Sequence, residues 1–199
     1  MKTKQQILLR KGLHLSLIIP FVIFWYLSYT QSFAYSQEYA RWFLIAFVGV
    51  FLIYEYIRLD TKIWVPFANL IKPKEAETSV DGLNLVLAAI VANALFSPQI
   101  AVVAILIAII GDTFSTIGGI YGTMRVFPKT DNKTTWEGVL LALLANFFIA
   151  GSVLGFGVIP LILALAGVII ETFATKLDDN LAIPLGVGLI GEIILLITT

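Results

Sequence analysis

The sequence has no cysteine. That excludes a disulfide framework, a thiolate nucleophile and a thiolate-held metal, and it leaves the redox compartment undetermined. Charge is scarce as well: Lys, Arg, Asp and Glu together make 13% of the 199 residues, against 59% hydrophobic, where a soluble domain carries roughly a quarter charged residues. With a mean hydropathy of +0.93, the chain reads as an integral membrane protein. The formal net charge is zero, which by itself says nothing about nucleic acid, and no nucleic-acid partner is expected. No internal repeat and no low-complexity segment stands out.

What is present is a series of apolar runs without alternation. Lipid cannot satisfy open backbone groups, so such runs are read as helices. The spacing predicts an all-α, polytopic membrane bundle with about seven transmembrane helices at 13–29, 42–57, 83–97, 100–114, 139–155, 158–175 and 182–198, forming one membrane domain over 1–199. Several are shorter than the roughly 20 residues of an average span, and 83–114 is the region most open to a re-entrant reading. A cleavable signal peptide is the competing reading of the N-terminus, since basic residues precede an apolar run and Ala34, Tyr35 and Ser36 loosely fit a cleavage site. The run is long enough to be a retained first helix.

Orientation follows from the basic residues. With the N-terminus cytoplasmic, Lys2, Lys4, Arg10, Lys11, Arg58, Lys62, Lys72, Lys74, Arg125, Lys129, Lys133 and Lys176 fall on one face and only Arg41 on the other. The expected topology is N-terminus inside and C-terminus outside, in the plasma membrane of a prokaryote or an endoplasmic-reticulum-type membrane.

The unusual polar residues collect on that cytoplasmic side. Arg10, Lys11 and His14 open the first helix, while Glu55 and Arg58 close the second. Asp112 sits where the fourth emerges from eleven unbroken apolar residues, IAVVAILIAII. Lys133, Thr134, Glu137 and Gly138 lead into the fifth, and Glu171, Asp178, Asp179 and Asn180 join the last two. Each has a plain alternative: Arg10 and Lys11 as topology anchors, His14 as a packed interfacial residue, Glu55 with Arg58 as a local i,i+3 ion pair, Glu171 as a group paired with Lys176. Asp112 is hardest to dismiss, because a carboxylate in an apolar helix is costly and usually functional.

The mixture suits phosphate chemistry. Asp112, Asp178 and Asp179 with Asn180 are hard oxygen donors of the kind Mg²⁺ accepts alongside waters and phosphates. Gly118, Gly119 and Gly122 permit close backbone approach to an anion, although their spacing matches neither the P-loop nor the dinucleotide fingerprint. Arg10, Lys11 and Lys133 can neutralise a polyphosphate. The surrounding bilayer makes a lipid the natural second reactant. Glu192 lies in the outer half of the last helix, away from these groups, and reads as a helix contact or a contact across a homodimer.

RKGLH at 10–14, EYIR at 55–58, GDTFSTIGGIYG at 111–122, NKTTWEG at 132–138, and Glu171 followed by DDNLAIP at 178–184 together resemble the polyprenol kinase family, which groups dolichol kinase, phytol kinase and the CTP-dependent diacylglycerol kinases. The resemblance covers most of the chain in the family's order. It implies a CTP-dependent kinase that phosphorylates a membrane lipid alcohol with Mg²⁺. Asp112 would be a metal-binding or catalytic carboxylate, Lys133 a phosphate contact, and Asp179 with Asn180 a polar cluster near the nucleotide. Thr134, Glu137 and Gly138 fall inside the matching NKTTWEG stretch, and Glu55, Arg58 and Glu171 would orient substrate or structure. The base for the lipid hydroxyl is left between Asp112 and His14. Gly119 departs from the pattern, standing where many members carry a basic residue. Phosphatidate cytidylyltransferases share a similar Asp-to-KTWEG stretch, but their late histidine and Asp-Arg-x-Asp signature is missing from DDNLAIPLGVG, which favours the kinase. A small transporter is the third reading.

Overall fold

A computed structural model of the chain describes residues 4–29, 36–61, 81–126, 134–173 and 177–198. Among the described residues the protein is all-helical and contains no strand. Four helical runs are long and apolar enough to cross a membrane: Lys4–Tyr26, Pro98–Tyr121, Trp136–Leu154 and Asp179–Thr198. Shorter apolar helices lie at Gly82–Leu95 and Val158–Phe173. The chain divides into two compact units, Met1–Leu83 and Asn84–Thr199.

The first unit contains α1 (Lys4–Ser16), α2 (Ile18–Tyr29) and α3 (Ser36–Asp60). The first apolar helix begins at Lys4, earlier than its apolar run suggested, and breaks at Leu17. Pro20 has no N–H to offer the Ser16 carbonyl four residues back. The chain tightens there: the Leu17 N–H donates to the His14 carbonyl at 3.2 Å, and Ser16 Oγ donates to the Leu13 carbonyl at 2.6 Å. Phe43, Phe47 and Phe51 recur every four residues on α3 and so share one face. Phe47 meets Phe21 of α2 edge-on, with ring centroids 6.5 Å apart. Phe21 in turn lies 6.1 Å from Trp25. Each aromatic pair of this kind adds about 0.5–1.5 kcal/mol beyond area burial, so α2 and α3 are joined by ring contacts rather than by small residues.

In the second unit, α4 (Asp81–Leu95) turns at Ser97 into α5 (Pro98–Leu106), which continues through a π turn (Ile107–Gly111) into α6 (Asp112–Tyr121). Then follow α7 (Trp136–Leu154), α8 (Val158–Phe173) and α9 (Asp179–Thr198). Pro98 at the first turn of α5 costs no hydrogen bond, because helix-opening N–H groups lack intrahelical partners. The fourth apolar run does not end at 114, as its hydropathy suggested. It runs to Tyr121, so the polar stretch after Asp112 is helix and not connection. The reason is tertiary: α6 packs along α7, which takes up the glycines and hydroxyls that would break an isolated helix.

Glu192, the carboxylate left over from the sequence, has a place in this unit. Its Oε2 accepts the Ser97 N–H at 2.9 Å, tying α9 to the turn that opens α5. Gly188 and Gly191 on the same helix make room for Phe96 and Ile100, the small-residue contact expected between membrane helices. Glu192→Leu should therefore cost about 1–3 kcal/mol, the penalty for a partly buried N–H left without its acceptor. Thermal unfolding in detergent will measure it, and an unchanged midpoint would show that the tie contributes nothing.

Candidate functional site

Asp112 is the fifteenth residue of the 24-residue Pro98–Tyr121 run and is 8% exposed. At 1.5 Å per residue it lies about 14 Å along the helix from Tyr121. It is thus well inside the helix rather than at its edge. The five residues before it form the π turn, in which Ile107, Ala108, Ile109 and Gly111 are buried. Such turns are rare and concentrate at functional sites. Thr113 Oγ1 donates to the Ile109 carbonyl at 2.8 Å, covering an acceptor within the widened turn.

Beyond Asp112 the glycines divide by role. A methyl group at Gly118 would come within 2.5 Å of Gly138 Cα, and one at Gly138 within 2.7 Å of the Ser115 carbonyl oxygen. Gly118 and Gly138 are therefore the crossing point of α6 and α7, backbone against backbone. Gly122 ends α6, its N–H bonded to the Gly118 carbonyl at 2.6 Å, and a methyl there would approach Thr135 Oγ1 at 2.5 Å. Among the described residues, Gly119 alone of the three has no neighbour where a β-carbon would stand. The close approach expected of this glycine run is made to another helix in two of its three members, and only Gly119 is left clear.

The chain leaves α6 as a short antiparallel ladder. Arg125 bridges Thr135, the Val126 N–H donates to the Thr134 carbonyl at 3.0 Å, and the Trp136 N–H donates to the Met124 carbonyl at 2.8 Å. Thr135 caps α7 by accepting the Gly138 N–H at 3.1 Å. Glu137 Oε1 reaches back to the Thr123 N–H at 2.8 Å and the Met124 N–H at 3.3 Å. Glu137 thus fastens the ladder to α7, a structural task that its place in the NKTTWEG stretch did not reveal. Lys133 lies outside the described residues. Tyr121 and Trp136, exposed at the two feet of the ladder, suit a membrane–water boundary.

At the other polar turn, the Asn180 N–H donates to Asp178 Oδ1 and Asp179 Oδ1, both at 3.0 Å. Asp178 accepts the Ala182 N–H on its carbonyl at 2.9 Å, so it is the N-cap of α9. Asn180 is buried and both aspartates are half-buried. Pro184 cannot donate to the Asn180 carbonyl, which leaves that oxygen without its usual helical partner. Glu171 stands half-buried near the end of α8. Between α8 and α9 an apolar groove of about 490 Å³ is lined by Ile169, Ile170, Phe173, Leu177, Leu181 and Gly186 among others. Its lining begins beside the aspartates.

In the first unit, Lys11 is buried and Arg10 and His14 are half-buried on α1. Glu55 and Arg58 make the i,i+3 ion pair, Arg58 Nη2 to Glu55 Oε2 at 2.7 Å and Nε to Oε1 at 3.3 Å. Both side chains are 5% exposed, so this guanidinium is engaged with a carboxylate of its own helix. A buried pair of this kind is costly to break from either side.

No group of three or more His, Cys, Asp or Glu side chains that could hold a metal occurs among the described residues. Asp112 is thus not gathered with Asp178 and Asp179 into one such group. A donor set of one or two carboxylates still fits Mg²⁺, which commonly takes its remaining ligands from water and phosphate. The sequence reading also passed over Asn146, 1% exposed in the middle of α7. A lone amide inside ALLANFFIAG was the available signal. Compared with protein-family models, curated proteins and solved structures, the chain matches none.

Proposed function

We propose that the chain is a polyprenol-kinase-like enzyme that transfers the γ-phosphoryl group of CTP to the hydroxyl of a membrane lipid alcohol at the cytoplasmic face. The reading includes seven spans with the N-terminus inside. The observation that carries it is Asp112, a buried carboxylate set directly after a π turn in an apolar helix. The stretches resembling the kinase family support it, as does the apolar groove that runs from the acidic turn at Asp178 and Asp179 along α8 and α9. That groove suits the hydrocarbon tail of an amphiphile whose hydroxyl stays at the polar end.

In this reaction the lipid oxygen bonds to the γ-phosphorus, the bond to the β-phosphate oxygen breaks and CDP leaves. The hydroxyl proton goes to Asp112 or His14. Positioning and charge neutralisation supply most of the rate in such transfers. Arg10, Lys11 and Lys133 would offset the polyphosphate charge. Mg²⁺ would be held by Asp112 or by Asp178 and Asp179, with Asn180 beside them, and it would neutralise charge on the phosphates. Arg58 is given no phosphate role, because Glu55 already occupies its fork.

CTP labelled at the γ position, offered with a panel of polyprenols, phytol and diacylglycerol, tests the reaction. Label in the lipid supports the kinase, and label in pyrophosphate identifies a cytidylyltransferase. A second reading gains from the depth of Asp112: transporters hold ions at carboxylates near the bilayer midplane beside broken helices. Ion flux in proteoliposomes without phosphoryl transfer would establish it. Filling the groove gives a separate check. Leu181→Trp is expected to raise the KM for lipid about tenfold, the loss of roughly 1.4 kcal/mol of binding, with the KM for CTP unchanged. An unaltered lipid KM would remove the groove from the account.

A further inference from the structure

The π turn before Asp112 packs against a side chain that the proposed reaction does not use. Asn146 projects from α7 into a slot between two glycines on two other elements. Its Oδ1 and the rest of its carboxamide lie where a β-carbon at Gly111 of the π turn would stand, with Cγ and Nδ2 each 3.1 Å from that position. On the other side, Nδ2 is 3.0 Å from where a β-carbon at Gly167 of α8 would stand. The amide is thus packed between the π turn and α8: a methyl at Gly111 would collide with it, whereas one at Gly167 would meet Ile107 Cγ2 first, at 2.6 Å, and press on the amide less. Oδ1 is fully buried and has no hydrogen-bond partner among the described residues. A buried amide oxygen left unpaired is destabilising, so thermodynamic stability does not explain an asparagine here.

A π turn carries an extra residue, and in a helix of 3.6 residues per turn each residue advances the face by about 100°. Whether 107–111 is π or α therefore decides which way Asp112 and everything after it points. We propose that Asn146 is the positioning residue for Asp112: its carboxamide, seated on Gly111, holds the turn in its π form and so fixes the rotational setting of that carboxylate. This rests on the reading of Asp112 as the catalytic or metal-binding group only where activity is measured. The geometric claim stands apart from it.

The test uses the full chain in detergent and two readouts. The first is the rate at which dicyclohexylcarbodiimide, an apolar carboxyl reagent, modifies Asp112, followed by mass spectrometry. The second is phosphoryl transfer with labelled CTP. Asn146→Ala should change the labelling rate at Asp112 several-fold and lower kcat at least tenfold, with the KM for CTP unchanged and the melting temperature within a few degrees. Gly111→Ala alone should unfold, whereas Gly111→Ala combined with Asn146→Ala should fold again without regaining activity. Altered labelling in Asn146→Ala, together with a natural chain that shows no kinase activity, would retain the positioning role and discard the enzyme reading. Unchanged labelling in folded Asn146→Ala would overturn the proposal, as would a double variant no more stable than Gly111→Ala.

Discussion

Asp112→Asn should reduce phosphoryl transfer to lipid by about three orders of magnitude, the loss seen when one preorganised electrostatic group is removed from an active site. It should leave the melting temperature within a few degrees, because the amide has nearly the same volume and keeps one hydrogen-bonding oxygen. A carboxylate 8% exposed in an apolar helix is a common mark of function, and the amide lacks the charge that such a function would use. A purely structural aspartate would give the opposite pattern, with activity following stability downward. The measurement pairs γ-labelled CTP assays with thermal unfolding of the same detergent preparation. Activity within tenfold of the natural chain would end the catalytic assignment. The Glu192 variant serves as the counterpart: it should lose stability while kcat in the folded fraction stays the same, because its carboxylate serves the Ser97 N–H and not the reaction.

Much of the architecture follows directly from the apolar runs, since in lipid a continuous hydrophobic stretch has few alternatives to helix. The boundaries did not follow. Hydropathy placed the end of the fourth run at 114, where polar residues begin, but helices in a bundle end where packing ends. Asp112, Thr113 and Gly118 are buried and so remain inside the helix despite their polarity. The π turn left no trace in a run of Ile and Ala, whereas its packing partners, Asn146 against Gly111 and Gly167 against Ile107, come from other helices. Glu55 and Arg58 were legible as a pair from their spacing alone, since i,i+3 contact is a property of the helix itself. Glu137 was legible as important but not as a fastener, because its partners are backbone N–H groups of Thr123 and Met124, which no side-chain pattern encodes.

Another large effect on stability should come from Gly118. Read as part of a phosphate-cradling loop, Gly118 and Gly119 would be equally sensitive, and substitution at either would weaken nucleotide use while leaving folding intact. Read as the crossing of α6 and α7, they part company. A β-carbon at 118 meets Gly138 Cα at 2.5 Å, Gly138 N at 2.7 Å and the Glu137 carbonyl oxygen at 2.8 Å. All three are backbone atoms, so no rotamer change can relieve the contact and the helices must move apart. Overpacking usually costs about 1–3 kcal/mol, and a backbone obstacle places this case at or above the upper end. The displacement would carry further, because Glu137 and the Thr135 cap start from the same turn. Gly118→Val should therefore fail to accumulate as folded protein, or melt at least ten degrees lower. Gly119→Val, with nothing within 4 Å of its β-carbon among the described residues, should fold normally. Because Gly119 is the one member of the run still open to a ligand, its valine variant should raise the KM for CTP if the nucleotide passes there. Equal melting temperatures for the two variants would refute the crossing. A stable Gly119→Val with unchanged CTP kinetics would move the nucleotide away from this helix face altogether.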